Sequence, residues 1–171
     1  MTVSRRDFFK ITGAGTAAVS SIGLTTEAVA ETKTTATNKA VLDYPATLIA
    51  KVNDLKINKP VMFGYPDNRS PCQLIKMGHA IPGGVGPEQD IVAYSSLCPH
   101  MGCPVMYDGD SRSFKCGCHF SVFDPEMEGQ QVCGQATENM PRIELIYDAK
   151  KDAVYAAGVH GLIYGRLANI I

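Results

Sequence analysis

The chain lacks an excess of charge of either sign: 16 Lys and Arg stand against 17 Asp and Glu, a formal net charge of −1. That balance gives no support for nucleic-acid binding, which usually shows a basic patch or stripe. Histidine is scarce, with four in 171 residues. There is no long apolar run. The most apolar stretch, from Ile11 to about Thr25, is rich in Gly, Ser and Thr and ends at Glu27. It falls short of the roughly 20 predominantly apolar residues that a spanning helix needs, so no stable membrane span is expected. Helical periodicity is absent outside that stretch, and so are a nucleophile–base set and a second cofactor motif. The length suits one domain with a tail, and a hydrophobic content of 45% is enough to build a core. Cysteine is not scarce. Six of them are many for a small intracellular protein and ordinary for one that works in an oxidising compartment.

The N-terminus points to the same compartment. Ser4-Arg5-Arg6-Asp7-Phe8-Phe9-Lys10 resembles the twin-arginine export signature, with Phe9 where leucine is commoner. The apolar stretch follows, and then Ala28-Val29-Ala30, an A-x-A cleavage pattern. Residues 1–30 are therefore expected to be a twin-arginine signal peptide and the mature protein to be periplasmic; an uncleaved anchor is the alternative. The polar, Thr-rich segment 31–39 reads as a linker or arm, and the domain is expected over 40–171.

From Ala40 onward, turn residues punctuate short apolar runs, the all-β pattern. Strands are expected at Thr47–Val52, Pro60–Tyr65, Cys72–Met77, Asp90–Tyr94, Ser113–Cys116, Val122–Phe123, Arg142–Asp148 and Ala153–Ala157. A hairpin turn is expected at Asp148–Asp152. Pro82-Gly-Gly-Val-Gly-Pro87 must be a loop, because its prolines and glycines cannot hold a ladder. The end, Leu162–Ile171, is apolar enough to pack on the domain or on a partner.

Two boxes carry the chemistry: Cys98-Pro-His100-Met-Gly-Cys103 and Cys116-Gly-Cys118-His119-Phe-Ser121. Each has one cysteine and one histidine at ligand spacing plus a further cysteine, and fifteen residues separate His100 from Cys116. A Cys2His2 set can hold structural zinc, but zinc sites usually use C-x2–4-C pairs. The C-x-H-x15-C-x-x-H pattern resembles the Rieske iron–sulfur family closely. That resemblance implies a 2Fe–2S cluster with one iron held by the thiolates of Cys98 and Cys116 and the other by the imidazoles of His100 and His119. It also implies an antiparallel β sandwich or barrel with an inserted small β cluster-binding subdomain, here about 91–141. Neutral imidazoles replace two negative charges of an all-cysteine site, so the extra electron is easier to accept. Rieske potentials accordingly span about −150 to +300 mV, above plant-type ferredoxins near −400 mV.

Further positions follow from the same resemblance. Cys103 and Cys118 match the disulfide of the respiratory and photosynthetic branch, which ties the two ligand loops together; free thiols are the alternative. Ser121 matches the serine whose hydroxyl bonds a bridging sulfide in high-potential members. Phe123 stands where those members often have a tyrosine that bonds a ligand cysteine. One potential-raising donor is thus kept and the other is missing, which implies an intermediate potential. Gly134-Gln-Ala-Thr resembles the loop that covers the cluster, without the two prolines common in the respiratory branch. Cys72 and Cys133 have no place in the pattern; a second disulfide and free thiols are both open. His79 and His160 read as loop or surface residues.

A longer stretch resembles the small subunit of bacterial arsenite oxidase: His119-Phe-Ser-Val-Phe-Asp-Pro-Glu-Met-Glu-Gly-Gln-Gln131, then Gly134-Gln-Ala-Thr, then Leu162-Ile-Tyr-Gly-Arg-Leu-Ala-Asn169. This implies a permanent partner, a large molybdopterin-containing subunit that oxidises arsenite to arsenate and carries a 3Fe–4S cluster. Electrons would pass through this chain to a soluble cytochrome c or copper protein, and the substrate would never touch it. The Rieske subunit of a quinol–cytochrome c oxidoreductase is the alternative, and it would need a membrane helix and hinge. A Rieske oxygenase would need a further mononuclear-iron domain, for which the chain is too short.

Overall fold

The computed structural model of the chain describes residues 44–166, all within the compact unit Ala40–Ile171. The expected signal peptide and linker, and the last five residues, lie outside the described residues.

Among the described residues ten strands form two antiparallel sheets. They are β1 (Thr47–Lys51), β2 (Val61–Gly64), β3 (Pro71–Lys76), β4 (Ile91–Ser95), β5 (Val105–Asp108), β6 (Ser113–Cys116), β7 (Val122–Asp124), β8 (Gln130–Cys133), β9 (Arg142–Asp148) and β10 (Ala153–His160). The larger sheet has the order β1-β10-β9-β4-β3-β2 and the smaller β5-β6-β7-β8. The fold is all-β, as the turn-punctuated apolar runs imply. Among the described residues no helix is long and apolar enough to cross a membrane.

The alternation of β3 and β4 explains how the two sheets share a core. All five residues of β4 are buried. Ile91 and Ala93 point into one apolar cluster with Leu74, Ile143 and Val154. Val92 and Tyr94 point the other way, into a second cluster with Ile75, Val105, Phe114 and Phe123. Successive side chains of a strand face opposite sides, so β4, buried at every position, is covered on both faces.

The smaller sheet is an insertion, and the pairing shows where it starts. The chain leaves the larger sheet after β4 and returns as its neighbour β9, with Ala93 opposite Ile143 and Tyr94 opposite Arg142. The Ser95 amide donates to the Pro141 carbonyl across this mouth (2.9 Å). Ile91–Ser95, counted with the inserted subdomain on sequence grounds, therefore belongs to the larger sheet, because its ladder partners are β3 and β9.

Two strands were not foreseen. β5 follows Pro104 and carries only four residues, although Val105 and Tyr107 point inward and Met106 outward. β8 is an edge strand with no buried residue; its ladder to β7 makes it a strand, and no apolar alternation announces it. The hairpin at Asp148–Asp152 is present between β9 and β10, with the Asp148 carboxylate accepting from the Lys150 amide (2.9 Å). In the terminal segment Ile163 is buried, at 1% exposure, while Leu162 and Tyr164 are exposed.

Gln73 joins the two sheets. Its buried amide nitrogen donates to the Ser96 hydroxyl (3.0 Å) and to the Val105 carbonyl (2.7 Å), and its oxygen accepts from the Tyr107 amide (3.3 Å). A buried polar side chain with every partner supplied rigidifies the place where it sits. Gln73 thereby sets the smaller sheet against the larger one.

Candidate metal centre

Both boxes are loops at strand ends. The first leaves β4 and closes on itself: the Cys98 amide donates to the Cys103 carbonyl and the Gly102 amide to the Cys98 carbonyl, both at 2.8 Å. The second leaves β6 and is closed by the Cys116 amide donating to the Ser121 carbonyl (2.9 Å). Cys103 and Cys118 form a disulfide between the loops, with their Cα atoms 6.5 Å apart.

Within this clamp the four candidate ligands come together in pairs. The His100 and His119 rings meet edge to face, with centroids 4.7 Å apart. The Cys98 and Cys116 thiols are buried and within hydrogen-bonding reach of each other. Burial pushes the Cys98 thiol up. The His100 and Met101 amides, aimed at its sulfur, oppose that rise, and the neighbouring Cys116 adds to it. Two thiols wrapped in apolar side chains become thiolates together only when a cation is bound to them. The Cys116 sulfur also lies within 4.8 Å of the Cys103 and Cys118 sulfurs, but those two are bonded to each other and have no thiolate to offer.

One atom tests whether a cluster fits. His100 Nδ1 is buried and has no hydrogen-bond partner. A buried ring nitrogen left in this way is costly unless something binds it, and Nδ1 is the nitrogen that ligates in the Rieske family. Soft buried thiols on one side and an unpartnered imidazole nitrogen on the other match the donor set of a Rieske cluster. The two imidazoles differ in setting, since His119 is exposed and His100 half-buried.

A third loop completes the enclosure. The Ala136 amide donates to the buried Ser121 hydroxyl oxygen (3.0 Å), which turns the hydroxyl proton away from that loop. Gly134 has φ +95°, and a Cβ there would overlap the backbone of Phe120 and Ser121. Only glycine allows this approach. Phe123 is fully buried in the cluster that also contains Cys98 and Cys116. Neither the amide that orients Ser121 nor the Gln73 clamp was foreseen; the sequence signal for the first was the Gly134 loop.

Residues 47–144 match the family model described as Rieske [2Fe-2S] domain. The chain belongs to that family. The Rieske domain here carries a 2Fe–2S cluster, and the chain is an electron-transfer protein. It is 39% identical over 170 residues to iodate reductase subunit IdrB of Denitromonas iodatirespirans, covering 98% of this chain and 86% of that one. The corresponding subunit of Pseudomonas sp. strain SCT is 38% identical over 128 residues, covering 72% of this chain and 65% of that one. The soluble domain of Rieske protein II (soxF) from Sulfolobus acidocaldarius shares the fold, with a TM-score of 0.65 at 22% identity over 73% of this chain and 83% of that one.

The other cysteines stand apart from the Rieske site. Cys72 is buried and free, its thiol donating to the Tyr65 and Ser70 carbonyls, and Cys133 is exposed and free. They do not pair. His79 lies on the surface within an ion-pair group with Arg112 and Glu126, and His160 is an exposed neighbour of Glu144.

Proposed function

We propose that this chain is the electron-transfer subunit of a periplasmic arsenite oxidase. Cys98 and Cys116 ligate one iron of its cluster, and His100 and His119 ligate the other. The signal peptide spans 1–30, the linker 31–39 and the Rieske domain 40–171. Its permanent partner is a large molybdopterin-containing subunit, and its acceptor is a soluble cytochrome c or copper protein. One observation carries this reading: the likeness of 119–131, Gly134-Gln-Ala-Thr and Leu162–Asn169 to the arsenite oxidase small subunit. Parts of all three segments lie against the ligand loops, with Gly134 on Ser121 and Tyr164 on Gly102. Resemblance at the residues that enclose the cluster supports a shared role more strongly than resemblance on a distant face.

The 39% identity to an iodate reductase subunit over nearly the whole chain favours a second reading, in which electrons flow the other way through the same cluster. Purification of the native complex from periplasm distinguishes the two. Iron and molybdenum in one complex that reduces cytochrome c with arsenite are expected. Oxidation of the reduced cluster by iodate, with no response to arsenite, would establish the second reading. Iron without molybdenum in a stable isolated chain would rule out both partnerships, and a reduced sample without a Rieske EPR signal would rule out the ligand assignment.

A further inference from the structure

After β10 the chain turns at Gly161, with φ +87° against Pro141, and runs back across the domain. Residues 161–166 form a strap held at three points. Ile163 is buried. Arg166 donates from Nε to the Ser70 hydroxyl (3.2 Å) and from a terminal nitrogen to the Asp67 carboxylate. Its own amide closes a turn on the Ile163 carbonyl (3.2 Å). Between these anchors stands Tyr164, and its ring lies on Gly102 so closely that a Cβ at Gly102 would overlap it.

Gly102 belongs to the first ligand box, and its amide closes the turn that presents His100. Pro99, on the other side of His100, lines one groove with Leu162, Ile163 and Tyr164. The strap therefore touches the box at Gly102 and faces Pro99 across that groove. The disulfide holds the box at Cys103 and the hydrogen bond from the Cys98 amide holds its start, but neither acts on the residues next to the imidazole.

We infer that Tyr164 is a positioning residue for the cluster: its ring, braced by Ile163 and by Arg166 on Asp67 and Ser70, holds the turn that aims His100 at its iron. The inference rests on His100 being a ligand. The ring's packing does the work, and the phenol hydroxyl is not needed. Tyr164 is 41% exposed and outside both sheets, so its removal leaves the ladders intact.

The test uses the full chain in its native complex and compares wild type with Tyr164→Ala, Tyr164→Phe and Arg166→Gln. Far-UV circular dichroism reports the sheets, EPR and redox titration report the cluster, and hydrogen exchange reports residues 100–103. Tyr164→Ala is expected to keep the dichroism, broaden the Rieske signal, move the midpoint potential and speed amide exchange at 100–103 about tenfold. Arg166→Gln should move the same readouts less, and Tyr164→Phe should restore all of them. Unchanged EPR, potential and exchange in Tyr164→Ala would overturn the inference, as would Tyr164→Phe behaving like Tyr164→Ala. A wild-type complex without a Rieske signal would overturn the ligand assignment and the inference together.

Discussion

Replacing Ser121 by alanine separates the electronic role of the third loop from its packing role. The Ser121 oxygen already accepts from the Ala136 amide, so its own proton is available to the cluster side of the loop. A hydrogen bond to a charged acceptor is worth about 1.5–3 kcal/mol. A donor to the cluster would favour its reduced, more negative state, so only the difference between the two redox states would move the potential. Taking that difference as about 1.5 kcal/mol, and about 59 mV per tenfold change for one electron, Ser121→Ala should lower the midpoint by about 60 mV. The variant also strips the buried Ala136 amide of its acceptor, which costs about 1–3 kcal/mol of stability. EPR-monitored redox titration measures the first effect and thermal unfolding of the complex the second. A lower melting temperature with an unchanged potential would refute the reasoning, because Ser121 would then serve the loop alone.

Phe123→Tyr adds a hydroxyl at a fully buried site in the core cluster that contains Cys98 and Cys116. It should raise the midpoint by about 40 mV if roughly 1 kcal/mol of its hydrogen bond favours the reduced state; a redox titration showing no rise would count against a thiolate acceptor there. Gly134→Ala forces a Cβ into the Ser121 backbone at a positive φ. It should cost about 2–4 kcal/mol and lower cluster retention, read as iron per chain after purification. The Glu126 carboxyl is held below its usual value: burial pushes it up, but the Arg112 guanidinium and His79 outweigh that. Its contribution to stability should therefore be complete above the ordinary carboxylate range and be lost as the pH falls through the lowered value. Glu126→Gln should flatten the acid limb of the stability–pH curve, and an unchanged limb would show that the Arg112 pairing does not stabilise the fold.

Sequence alone was enough to set out the ligand candidates and the fold class. C-x-H and C-x-x-H each lie in a single loop, and ligand spacing inside one loop is a local property that any short window displays. The same is true of short apolar runs bounded by turn residues, such as those of β3 and β10, and of the turn at Asp148–Asp152. β5 and β8 escaped because they are the two edges of the smaller sheet, each held to a single neighbour by backbone bonds that side chains do not advertise, and β8 has no apolar alternation either. The tertiary structure decided everything that depends on distant segments meeting. It put β4 between two cores and set the smaller sheet on Gln73. It seated Gly134 against Ser121 and laid Tyr164 over Gly102. It also left His119 exposed and His100 half-buried, although the two boxes look alike on paper. Each of these follows from which strand ends are neighbours in the sheets, and that neighbourhood is fixed by ladders and core packing spread over the whole domain. What the chain can bind is therefore written in two short stretches of sequence, and how firmly each ligand is held is settled by residues that come near only when it folds.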